Sequence, residues 1–165
     1  MKKTRIMFFI VLAFFLCFGN NYAEAQPDLV LSGSVTEIPK AVLGMWRVVS
    51  NIEDTDAPLT FRKNSLDLWN LTRIGDVMKL CNPFSGAQAE ITVISGNEKH
   101  LVFEKVKHYN GKLVTDTVEL SINGDYFEGY NKIKLETLSD VDNSVIKTEH
   151  AKYKLKGERI SGGEI

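Results

Sequence analysis

The chain has 165 residues, 44% of them hydrophobic and 25% charged, with a formal net charge of −1 and two cysteines. That composition suits one globular domain with a sizeable core and rules out a disordered or fibrous chain. A near-neutral balance leaves no electrostatic footprint for nucleic acid, so no nucleic-acid partner is expected.

Met1-Lys2-Lys3-Thr4-Arg5 is basic, Ile6 to Phe18 is apolar and uncharged, and Ala23-Glu24-Ala25 has the small-x-small form of a cleavage site. Residues 1–25 therefore read as a secretory signal peptide, with cleavage after Ala25 and a mature start at Gln26. The apolar run is too short to span a bilayer, so stable membrane insertion after cleavage is not expected. Leu16 before Cys17 is too large for lipid modification. The expected location is secreted or periplasmic, in a bacterial host. Three basic residues and one acid leave with the leader, taking the net charge from −1 to about −3. The mature chain keeps Cys81 alone, which forbids an intramolecular disulfide and leaves packing to supply stability.

Residues 26–37 are polar, with Gly, Ser and Pro, and read as a flexible arm. The domain is expected over 38–157, with a tail at 158–165 that has little to pack. A first strand runs from about Gly44 to Glu53, with Trp46, Val48, Ser50 and Ile52 on one face. The longest loop follows, Asp54 to Asn64. Leu66 to Ile74 is a second strand, joined through Gly75-Asp76 to a third over Val77 to Asn82. The apolar parity slips between Leu66/Leu68 and Trp69/Leu71, which predicts a bulge near Leu68-Trp69. Asn82 to Gly86 is a turn, and Ala89, Ile91 and Val93 alternate in a fourth strand. Gly96-Asn97, Asn110-Gly111 and Asn123-Gly124 predict three hairpins, because these residues tolerate positive φ. They delimit strands at Lys99 to His108, Leu113 to Ile122 and Tyr126 to Leu138. A last turn at Asp140 to Asn143 leads to Val145–Leu155. The fold class predicted is all-β: an eight-stranded antiparallel up-and-down β-barrel, which leaves no exposed edge.

Leu43, Gly44, Trp46, Val48, Val49 and Ser50 resemble the Leu-Gly-x-Trp-x-Val-Val-Ser opening of small secreted bacterial lipocalin-like proteins. The resemblance extends by topology over about residues 38 to 157. It implies a barrel whose closed end is plugged by Trp46, with Gly44 turning the chain into the strand. It also implies an Arg or Lys near the end of the last strand lying over the Trp. Arg159 is the candidate and Lys154 and Lys156 are alternatives.

His100, His108 and His150 are scattered, with no metal-ligand spacing, so no metal is expected. There is no Gly-rich phosphate loop, no nucleophile elbow and no nameable triad, so no cofactor and no enzymatic activity are expected. The only nameable pair of convergent acids is Asp116 with Glu149. Asn70-Leu71-Thr72 matches a glycosylation sequon in mid-strand.

The informative pattern is polar residues on inward parity. Ser50 lies between Val48 and Ile52, Asp116 precedes Val118, Asn131 precedes Ile133, and Lys147 and Glu149 precede Ala151. Buried charges must be paired, wet or at an open mouth. One reading makes them fixtures of a ligand cup walled by Phe103, Val118, Leu120, Phe127 and Ile133, with Leu59 and Phe61 on a loop over the mouth. The protein is then a monomeric carrier of a small apolar or amphipathic molecule. The alternative is a cell-envelope interaction module with a filled barrel and no ligand. An interior blocked by Phe103, Phe127, Trp69 and Tyr153 favours the alternative.

Overall fold

The computed structural model describes residues 40–75 and 77–162. The expected signal peptide and arm, and Asp76 of the second turn, lie outside the described residues. A 3₁₀ turn, η1 (Lys40–Val42), leads into eight strands: β1 (Gly44–Thr55), β2 (Asn64–Ile74), β3 (Val77–Cys81), β4 (Gln88–Asn97), β5 (His100–Tyr109), β6 (Lys112–Asn123), β7 (Tyr126–Leu138) and β8 (Val145–Ser161). Every neighbouring pair is antiparallel, and β8 returns to β1 to close the barrel. The all-β, up-and-down architecture expected from the strand pattern is the observed one.

Inward positions alternate as a pleated strand requires. Trp46, Val48, Trp69, Leu71, Leu101, Phe103, Val118, Leu120, Phe127, Tyr153 and Leu155 form one buried cluster. The floor is aromatic. The Trp46 and Phe127 rings lie 5.0 Å apart, and Trp69 stacks on Phe127 at 6.0 Å and meets Phe103 edge-on at 6.4 Å. Phe127 fits because Gly157 faces it across the β7–β8 ladder; a Cβ there would come within 2.2 Å of the ring.

Trp46 is fully buried at the start of β1, and its Nε1 donates to the Val42 carbonyl at 2.8 Å. Arg159 covers it, with its guanidinium carbon 4.1 Å from the ring centre. The same guanidinium donates to the Leu43 carbonyl at 2.7 Å, to the Ala41 carbonyl, and through Nε to Asp125 at 3.0 Å. Lys154 is exposed, and Lys156 pairs with Glu128 at 3.1 Å. Gly44 sits at φ 119°, and a Cβ would meet the Ser161 carbonyl at 2.6 Å.

Several boundaries differ from expectation. β8 does not stop at Leu155, and residues 158–161 are not a loose tail. Trp46 pairs with Arg159 and Tyr126 with Glu158, so the barrel extends to Ser161. The bulge expected at Leu68-Trp69 is absent, because β2 keeps an unbroken register with β1. Leu66 and Leu68 simply face outward, Leu66 at 69% exposure, while Asp67 shares the inward face with Trp69. β4 runs through Gly96-Asn97 and turns at Glu98-Lys99, since Asn97 pairs with His100. The third hairpin turns at Gly124-Asp125, one residue later than expected. Asn110-Gly111 is the two-residue turn as read, both residues at positive φ (47° and 68°).

The barrel is closed as expected, with every strand paired on both sides, but pairing is partial along two strands. β2 pairs with β1 from Asn64, but with the short β3 only from Asn70. β5 pairs with β6 along its length, but with β4 only from His100 to Glu104. Residues 64–69 and 105–109 therefore each have one edge without a strand partner, and the rim is notched above the β3–β4 hairpin.

Trp46→Ala should cost about 3–5 kcal/mol, as large aromatic truncations in cores do. Arg159→Ala should cost about 2 kcal/mol or more, because the four backbone carbonyls of Ala41, Leu43, Gly124 and Gly162 lose a charged donor. Denaturant melts measure both, and a loss under about 1 kcal/mol at either site would show that the lower closure is peripheral to stability.

Candidate functional site

Odd-numbered connections, 56–63, 82–87, 110–111 and 139–144, lie at the end opposite Trp46. This is the mouth. Its longest loop folds over it as a lid. The Tyr153 hydroxyl donates to the Arg62 carbonyl at 2.9 Å, and Thr60 Oγ1 donates to Glu149 at 2.8 Å. Asp56 accepts the His150 backbone N–H at 2.7 Å and faces its ring nitrogen at 3.0 Å. Phe61 packs half-buried on the core, whereas Leu59 is 102% exposed and touches nothing of the cup. Of the two apolar lid residues expected at the opening, only Phe61 is there.

Below the lid and above the aromatic floor lie the polar inward residues. Asp116 is buried and receives Lys105 Nζ at 2.7 Å and Asn131 Nδ2 at 3.3 Å. Asn131 Oδ1 is buried with no hydrogen-bond partner among the described residues. Glu149 is buried and receives Lys147 Nζ at 2.8 Å. Asp116 and Glu149 thus each hold a separate lysine, and no bond joins them among the described residues. Ser50, Ile52 and Ile133 are half-buried; Phe103, Val118, Leu120 and Phe127 are buried in the floor and lower wall.

Three members of this layer escaped the sequence reading. Lys105 lies two residues beyond Phe103 on the same parity. Asp67 lies two before Trp69, and was hidden by the false bulge. Asn82 reaches Asp67 from the next connection. No sequence signal marks Thr60, whose partner lies 89 positions away.

Phe103, Phe127, Trp69 and Tyr153 are all buried; the first three form the aromatic floor, and Tyr153 stands under the lid. Two clefts open at the surface. One of about 290 Å³ is lined by Thr55, Asp56, Ile133, His150 and Lys152; another of about 400 Å³ runs over Val49, Leu66 and Tyr126 on the outer wall. No cluster of metal-ligating side chains occurs among the described residues. Cys81 is half-buried and unpaired.

No family model and no curated protein matches the chain. A solved structure described as "Structure of EF1p2_mFAP2b bound to DFHBI" is similar at 11% identity, over 73% of this chain and 94% of that one, with a TM-score of 0.42.

The lid anchors respond to pH. The His150 backbone N–H, then the His150 ring, holds the Asp56 carboxyl below its ordinary value. Lys147, then Thr60, does the same for Glu149. A carboxylate lowered in the folded state contributes fully above its unfolded value and loses that contribution as pH falls through the folded one. The lid should therefore be fastened at neutral pH and should loosen only in acid below the ordinary carboxylate range. Hydrogen exchange across 56–63, corrected for intrinsic rates, measures this. Asp56→Asn with Glu149→Gln should loosen the segment at neutral pH. Equal protection in acid and at neutrality, with the barrel folded, would show that these bonds do not hold the lid.

Proposed function

We propose that this chain is an exported, lipocalin-like binding protein, not an enzyme, that takes up a small apolar or amphipathic molecule at the mouth of its barrel. The observation that carries the reading is Phe61: a side chain of the lid loop packs half-buried on the barrel core, as the strand residues Ile52 and Ile133 do. The loop that carries it is tied down by exchangeable polar bonds. Phe61 then occupies the place that a ligand takes when the lid lifts. The orphaned Asn131 Oδ1 beneath it supports the same reading, because a buried acceptor without a donor is costly until something donates to it. Ligand sites of this kind combine apolar walls with a few placed polar groups. Asp116 and Glu149, each paired with its own lysine rather than with the other, support the reading as a binding protein.

A second reading has its own observation in favour. The aromatic floor packs the closed end of the barrel with Trp46, Phe127 and Trp69 in ring contact. A filled barrel of this kind would act as an interaction module of the envelope without a ligand.

A neutral fluorescent probe such as N-phenyl-1-naphthylamine separates the two. Under the binding reading, Phe61→Ala removes the stopper and tightens probe binding by at least tenfold, about 1.4 kcal/mol. Leu59→Ala should leave it unchanged. Failure of the probe to bind either the parent or Phe61→Ala would sink the binding reading and promote the filled module.

A further inference from the structure

Three carboxylates point into the upper barrel, and they are not equivalent. Asp116 and Glu149 are each met by a lysine ammonium, at 2.7 and 2.8 Å. Asp67 is met only by neutral donors. Its Oδ1 accepts the Leu68 backbone N–H at 2.9 Å and the Asn82 amide, and its Oδ2 accepts only a long contact, 3.3 Å, from Trp69 Nε1. No cation lies within ion-pair distance of it among the described residues. Val48, its partner across the β1–β2 ladder, is fully buried, which fixes Asp67 on the inner face.

Position adds to chemistry. Asp67 belongs to the stretch of β2 that has no strand on its β3 side. It therefore stands half-buried at the unpaired edge of β2, with Asn82 of the β3–β4 connection as its neighbour there. Trp69 next to it begins the aromatic floor. A half-buried carboxylate with one underused oxygen, beside an apolar floor and an open rim, is a receptor for a positive charge carried on an apolar body.

Resting on the binding reading above, we infer that the ligand class is a cationic amphiphile whose protonated amine docks on Asp67 Oδ2 through the β2–β5 notch. The amine supplies the missing counter-charge. Its apolar part lies between the Trp69 side of the floor and Ile52 of β1, in the place that Phe61 leaves when the lid lifts.

The test uses three probes of equal chain length, decylammonium, decan-1-ol and decanoate, each below its micelle concentration. Titration calorimetry gives the affinities, and Trp fluorescence reports on Trp69. Decylammonium should bind at least tenfold more tightly than decanol, and decanoate should bind most weakly. Asp67→Asn keeps the side-chain shape and should bring decylammonium down to the affinity of decanol, leaving decanol unchanged. Circular dichroism and unchanged decanol binding show that the variant is folded. Equal affinity for the three probes in the parent protein overturns the amine assignment and leaves the binding reading standing. So does a cation preference that survives in Asp67→Asn. Binding of none of the three overturns the binding reading and the assignment with it.

Discussion

The stacking of Arg159 on Trp46 is the constraint on which the rest of the barrel depends. A closed sheet needs its first and last strands to meet, and a barrel needs one end stoppered so that its core is dry. One contact does both. Trp46 fills the lower end and hydrogen-bonds η1 through Val42. Arg159, from the far end of the chain, lies on the ring and binds carbonyls of η1 as well as Asp125 in the β6–β7 turn. A guanidinium suits this position because its planar donors reach several acceptors while its face stays on the indole. Gly44 and Gly157 are consequences of the same crowding. The first lets β1 start against Ser161, and the second leaves room for the Phe127 ring that stacks beneath Trp69.

Above this floor the barrel changes character. Polar side chains on inward positions are tolerated because most are partnered: Lys105 with Asp116, Lys147 with Glu149, and Asp67 with neutral donors. Each pair recovers some of the desolvation cost that a lone charge would incur. Two atoms stand apart from that economy, Asn131 Oδ1 and Asp67 Oδ2. The functional proposals attach there because unmet hydrogen-bonding capacity is where a ligand changes the energy most.

The lid and the notch are separate devices. The lid crosses the β8–β1 side, where the strands are longest and His150, Glu149 and Tyr153 offer anchors. The notch lies where β3 is only five residues long. Unequal strand lengths thus leave the rim with a fastened sector and a low sector. On the β5 side Lys105 turns into the barrel against Asp116, and Lys107 is exposed.

The sequence by itself determined the class of the fold, the order of the strands and the composition of the core. Those follow from local rules: period-two alternation, Asn-Gly turns whose residues accept positive φ, and a Trp placed one residue beyond a Gly. The β5–β6 turn and the full span of β7 were legible for that reason. Tertiary structure alone decided the rest. Whether Leu66 and Leu68 face in or out depends on the register that β1 imposes on β2, and parity read from β2 alone gave a bulge that does not exist. Whether β8 ends at Leu155 or Ser161 depends on Trp46 and Tyr126 offering it partners. The site was legible only in part. Inward polar parity marked Asp116, Asn131 and Glu149. Their pairing with Lys105 and Lys147, the isolation of Asp67, and the contrast between a packed Phe61 and a solvent-facing Leu59 arise from contacts between distant segments. No local pattern encodes those, because a side chain's partner across a barrel is set by closure and register, not by its neighbours in the chain.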